Sequence, residues 1–123
     1  MVTFGDSITD GATSSNDTNS AWPSVLARRL AAAKKNVAVV NQGISGNRVL
    51  RDGAGANAFA RFDRDVIARK PTLVTISVGV NDVWHRMDQP HEARVLDAYA
   101  ANLDRMVGMA MDAGARVLIL SPT

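Results

Sequence analysis

The chain contains no cysteine in its 123 residues, which excludes a disulfide scaffold and any thiolate metal centre. Charge of one sign is also scarce. Fourteen Lys and Arg stand against twelve Asp and Glu, and the formal net charge is only +2. The basic residues are interspersed with acidic ones, so no nucleic-acid-binding stripe is expected. No apolar run approaches the length of about 20 residues that a membrane-spanning helix needs. Histidine occurs twice, at His85 and His91, without a third ligand or an i,i+4 spacing, so no metal site is expected. There is no internal repeat.

What is present is ordinary for a water-soluble domain. Hydrophobic residues make up 46 % and charged residues 21 %. The length suffices for one domain with a real core and is too short for two.

Apolar, β-rich runs alternate with helical patterns. A first strand runs from Met1 to Phe4, followed by a polar loop through Asn19. A helix then starts at Ser20, a good N-cap, with Pro23 in the first turn and Trp22, Val25, Leu26, Leu30 and Ala33 on one face. "NVAVVN" is the second strand and "QGISGNRVLRDGAGAN" a glycine-rich loop. Phe59, Phe62 and Val66 form the apolar stripe of a second helix. Arg61 with Asp65, and Asp65 with Arg69, are expected as i,i+4 pairs on its wet face.

After Pro71, "TLVTISV" is apolar enough to be a strand buried on both faces. A loop follows from Gly79 to about Gln89. Pro90 and Glu92 open a third helix, whose stripe is Leu96, Tyr99, Leu103, Met106, Val107 and Ala110, and Gly114 stops it. Met106, Met109 and Met111 read as core and helix surface rather than a cofactor site. "ARVLILS" is the fourth strand.

The order β-α-β-α-β-α-β implies a parallel sheet with right-handed crossovers. In such sheets ligands bind beyond the carboxyl ends of the strands. The loops there hold Asp6 and Ser7, then Gly43, Ser45, Gly46 and Asn47, then Gly79, Asn81 and Asp82. Gly, Asp and Ser are common turn formers, so "GDS" alone reads equally well as a turn. Together the three loops offer a hydroxyl nucleophile, close-approaching backbone N–H groups and a neutral amide donor. Acyl transfer needs that set, because negative charge develops on a carbonyl oxygen and must meet fixed donors.

The blocks "GDSITDG", "NQGISGNRV" and "GVND" resemble the first three sequence blocks of the SGNH (GDSL-type) hydrolases, a family of esterases, lipases, thioesterases and carbohydrate acetylesterases. The resemblance spans Phe4 to Asp82. It implies a flavodoxin-like three-layer α/β/α fold with strand order 2-1-3-4. Ser7 would be the nucleophile. The backbone N–H groups of Ser7 and Gly46 and the amide of Asn81 would form the oxyanion hole, with Asp6 and Asp82 in support. Gly46 matches better than Gly43, because the family's glycine falls late in its block. The wording of "GISGNRVLRDG" and "ARFDRDV" is most similar to bacterial carbohydrate esterases and lipases. The implied partner is a small acyl ester, such as an acylated carbohydrate or a lipid. No cofactor and no nucleic acid is expected.

One block departs from the pattern. The family's fourth block, Asp-x-x-His, supplies the base and its orienting acid late in the chain. "DVWH", Asp82 to His85, has that spacing, but it lies inside the third block, so it reads as a coincidence. His91 falls in the first turn of the third helix, where the dipole disfavours positive charge. The chain therefore reads as one domain of a longer enzyme, 1–123, with the fifth strand and the base histidine missing and little activity of its own. With one helix over one face, apolar side chains of "TLVTISV" and "ARVLILS" are expected to be uncovered.

Two other readings are weaker. "GAGANA" fits G-x-G-x-x-A, a dinucleotide pattern, but it sits late in a long loop rather than directly after a strand. A flavodoxin-like nucleotide- or phosphate-binding module would share the fold, but Asp6 and Asp10 would repel an anion.

Overall fold

A computed structural model describes residues 1–11, 18–50, 57–84, 87 and 93–121. Four strands form one parallel sheet in the order β2-β1-β3-β4: β1 (Val2–Gly5), β2 (Val40–Gly43), β3 (Leu73–Ser77) and β4 (Arg116–Ile119). The helices are α1 (Ser7–Asp10), α2 (Trp22–Ala32), α3 (Ala58–Asp65), α4 (Val80–Trp84) and α5 (Ala93–Asp112). This is the expected α/β architecture and strand order.

The core lies on one face of the sheet. Val2, Phe4, Val74 and Ile76 alternate along β1 and β3 and meet Phe62 of α3, Val66 directly after it, and Met106 and Ala110 of α5. The Phe4 and Phe62 rings meet edge to face, 5.0 Å between centroids at 86°. Helix α2 contributes no side chain to this cluster and contacts β2. Right-handed crossovers require that separation. Gly114 follows α5 with φ +85°, the left-handed stop expected there.

Several boundaries differ from the sequence reading. The second strand is Val40–Gly43, not residues 36–41. The ladder with β1 begins where Val2 pairs with Val40, and of the residues before it Ala38 accepts through its backbone oxygen from the Met1 amino group at 2.6 Å. Helix α2 is not capped by Ser20. Thr18–Ser20 already form a 3-10 turn, and the N-cap is Ala21, whose side chain makes no cap bond. The segment after Gly79 is not all loop, since Val80–Trp84 is helical. Ala33 and Leu96, placed on apolar stripes, are exposed.

The largest correction concerns α3. Arg61 and Asp65 are not on a wet face: they are 5 % and 7 % exposed. Asp65 pairs with Arg61 and Arg64, while Arg69 reaches only its backbone oxygen. Of the two strands expected to be uncovered, only one is exposed. β3 is buried from Val74 to Ser77, its second face being lined by Thr75 and Ser77, and exposure falls on Leu118, Ile119 and Leu120.

Candidate active site

The sheet register brings the three loops together. Gly5, the last residue of β1, pairs with Gly43 of β2 on one side and Ser77 of β3 on the other. Three segments thus leave the sheet at one level, carrying Ser7, Gly46 and Asn81. Two backbone bonds continue the alignment past the strands: Ile44 N–H to Gly5 O at 3.0 Å and Asp6 N–H to Ser77 O at 3.3 Å.

Ser7 is the first residue of α1 and is half-buried. Asp6, 1 % exposed, caps that helix by accepting from the Ile8 N–H at 3.0 Å. Burial pushes the Asp6 carboxyl above its ordinary range, with the Ile8 N–H opposing. Neither the Ser7 N–H nor the Gly46 N–H meets an acceptor among the described residues.

The two glycines after β2 have different tasks. A Cβ on Gly43 would lie 2.1 Å from the Asp10 backbone nitrogen, so Gly43 lets β2 approach α1. Gly46 has φ +77° and open space around its missing Cβ. It is the one that turns the chain and keeps its backbone accessible.

Asn81 and Asp82 tie the third loop to the second. Asn81 donates through Nδ2 to Asn47 O at 3.0 Å. An amide nitrogen carries two N–H bonds, so a second donor remains. Asp82, 5 % exposed, accepts from Val49 N–H at 3.0 and 2.9 Å and from Leu50 N–H at 2.8 Å. Burial raises its carboxyl, against the Val49 and Leu50 N–H groups and the Arg48 charge. The carboxylate is thus committed to the loop after β2. Tyr99 of α5 closes the far side, donating to Val78 O at 2.9 Å. Burial raises the Tyr99 hydroxyl first, then the nearby Asp82 and Asp6 charges. A recess of about 330 Å³ opens here, lined by Gly79, Asp82, Val83, Val95, Leu96 and Tyr99.

The structure therefore gathers Asp6, Ser7, Gly46, Asn81 and Asp82 at one sheet edge. His85, His91, Pro90, Glu92 and most of "GAGANA" lie outside the described residues. Among the described residues, no group of three His, Cys, Asp or Glu side chains is arranged to hold a metal ion, and no helix is long and apolar enough to cross a membrane.

The sequence reading missed Arg61 as part of this neighbourhood. Its guanidinium reaches Asn47 Oδ1 (2.6 Å), Gly5 O (2.9 Å) and Gln42 O (3.0 Å). A signal existed. Ala58, Arg61, Phe62, Asp65 and Val66 are spaced i, i+3, i+4, i+7 and i+8, so both charges occupy the buried stripe.

A parallel sheet in the order β2-β1-β3-β4 with helices packed on it defines an α/β protein. The profile of the GDSL-like Lipase/Acylhydrolase family matches residues 3–123, and the chain belongs to that family. It is 49 % identical over 74 residues to an acetylxylan esterase of Geobacillus stearothermophilus, covering 58 % of this chain and 31 % of that protein. It is 33 % identical over 120 residues to the esterase TesA of Pseudomonas aeruginosa, covering 98 % of this chain and 52 % of that protein. The solved structure of Axe2, an acetylxylan esterase from Geobacillus stearothermophilus, superposes with a TM-score of 0.72 at 32 % identity, over 96 % of this chain and 57 % of that one. The chain thus spans about half the length, or less, of the curated relatives it matches.

Proposed function

We propose that this chain carries the nucleophile and oxyanion-binding part of an ester hydrolase. The substrates are small acyl esters, with acetylated carbohydrate the first candidate. The observation that carries the reading is the register of Gly5 with Gly43 and Ser77, which sets Ser7, Gly46 and Asn81 at one edge. The names of the acetylxylan esterase and TesA relatives support the substrate class.

In this reading Ser7 Oγ attacks the ester carbonyl carbon. A new O–C bond forms as the hydroxyl proton passes to a base. The carbonyl oxygen takes the negative charge and is met by the Ser7 and Gly46 N–H groups and the second Asn81 N–H. Collapse expels the alcohol, which recovers the proton, and water then releases the acid from the acyl-enzyme. Asp6 holds the α1 turn that presents Ser7, and Asp82 holds the Val49–Leu50 segment behind Gly46.

Asp82 is not the acid of a "DVWH" dyad in this scheme, because its carboxylate is bonded to Val49 and Leu50. The test is covalent labelling of the gene's full product with a fluorophosphonate. Peptide mapping should find the adduct on Ser7 and none in Ser7→Ala. An adduct on another residue would overturn the nucleophile.

A further inference from the structure

We infer that Arg61 is a positioning residue for this site: through Asn47 it fixes the carbonyl oxygen that aligns Asn81. The inference rests on the oxyanion role proposed for Asn81.

The geometry is specific. Arg61 Nε–H donates to Asn47 Oδ1 at 2.6 Å. Asn47 O in turn accepts from Asn81 Nδ2 at 3.0 Å. Asn47 is fully buried, and its own Nδ2 has no partner among the described residues. The bond from Arg61 is therefore the one that orients the Asn47 side chain. The rest of the guanidinium is held on all sides. One Nη2 serves Gly5 O at 2.9 Å and Gln42 O at 3.0 Å, Nη1 reaches Asp65 Oδ2 at 3.0 Å, and the group lies 4.1 Å from the centre of the Phe4 ring. Gly5 lies two residues before Ser7, and Asn47 directly follows Gly46.

A purely structural role would be the buried pair with Asp65. That pair occupies one arm of the fork, and buried ion pairs are often no better than apolar residues of similar size. The remaining three acceptors are neutral and belong to the segments that carry the site. A planar fork with five N–H donors serves them together, and a lysine ammonium does not. The Asp65 carboxylate, also bonded by Arg64, supplies the neutralising charge.

The experiment is a double-mutant cycle in the gene's full product, with p-nitrophenyl acetate as substrate and a thermal melt on each variant. Arg61→Lys should lower kcat about tenfold or more, with KM changed less than about twofold, as misplacement of a transition-state donor does. In an Asn81→Ala background the same substitution should lower kcat by less than about threefold, because the residue it acts through is gone. An unchanged kcat in Arg61→Lys, or the same loss in both backgrounds, overturns the inference, since a general loss of fold would be additive. Where Arg61→Lys does not fold, Asn47→Ala takes its place. It removes the Nε–H acceptor, keeps Arg61's other three acceptors, and should show the same coupling to Asn81. Failure of the underlying reading looks different: Asn81→Ala alone would then keep its kcat, and Arg61 would have nothing to position.

Discussion

The side-chain amide of Asn81 donates to the backbone oxygen of Asn47 at 3.0 Å and so joins the turn after β3 to the turn after β2. One N–H is used in the fold, and in the proposed reading the other meets the substrate's carbonyl oxygen. Asn81→Ala should lower kcat by about 10²–10³ with little change in KM, the usual result of removing an oxyanion donor. Asn81→Asp should do no better, because its carboxylate would face the Asn47 carbonyl. Steady-state kinetics on a p-nitrophenyl ester checks both, and a loss below about tenfold removes Asn81 from the role.

Gly43 and Gly46 separate packing from presentation. Gly43→Ala drives a Cβ to 2.1 Å from the Asp10 backbone nitrogen, and backbone cannot yield as a side chain can. That variant should lose its cooperative melt. Gly46→Ala meets no atom within 4 Å, and its cost is the left-handed φ of +77°, about 1–2 kcal/mol. It should fold with a slightly lower midpoint in urea. Equal stability of the two variants would contradict this division.

The fold is legible in the sequence because it rests on local pattern. Period-2 and period-3.6 runs announce β1, β3, α3 and α5, and the blocks around Ser7, Gly46 and Asn81 follow strand ends. What was not legible depends on neighbours. β2 is shifted because it can only be as long as the pairing that starts at Val2 and Val40. Arg61 reads from its i,i+4 spacing to Asp65 as part of a wet-face pair. Its burial depends on acceptors at Gly5, Gln42 and Asn47, which are brought to it by tertiary structure. Asp82 looked like a motif residue and is also a clamp on Val49 and Leu50, a contact across more than thirty residues.

Asp82 also sets a pH dependence. Its folded carboxyl titrates above the ordinary value of 3.8, chiefly through burial. The folded chain then holds this proton more tightly than the unfolded chain. Stability from this group is fully present below 3.8 and declines as pH rises through the window between 3.8 and the folded value. Asp6 has the same sign. Asp65, held low by Arg64 first and then Arg61, has the opposite sign, and its contribution is lost as pH falls below 3.8. Urea unfolding across this range should show a shallower decline on the high side in Asp82→Asn. In Asp65→Asn the loss on the acid side should shrink. Asp82→Ala should cost about 1–3 kcal/mol for each orphaned N–H, Val49 and Leu50. An unchanged pH profile in Asp82→Asn would refute the burial argument.

The base is a separate question. Within residues 1–123 the Asp-x-x-His spacing occurs twice, as Asp82–His85 and as Asp88–His91, and both histidines lie outside the described residues. Asp82 is bonded to Val49 and Leu50, so it is not placed to orient an imidazole. With neither pair acting as base and orienting acid, the 123-residue chain alone should hydrolyse p-nitrophenyl acetate at close to the buffer rate. Enzyme-like turnover that disappears in His85→Ala or in His91→Ala would assign the base to that histidine and overturn this expectation.

β4 is the edge of the sheet, paired with β3 alone among the described residues. Leu118 pairs in register with Thr75 and Ile119 with Ile76, so their side chains fall on opposite faces. They are 53 % and 56 % exposed, and Leu120 beyond them is 36 % exposed. An edge strand that is apolar on both faces offers unpaired N–H and C=O groups together with greasy surface, a combination that favours association. The 123-residue chain should therefore self-associate, with an apparent mass in sedimentation that rises with concentration. Leu118→Lys and Ile119→Glu place charge on the two faces without touching the buried core, and together they should shift the chain toward monomer while leaving its far-UV spectrum intact. A monomeric chain with a sharp, concentration-independent melt would show that this edge is not the sticky surface its exposure implies.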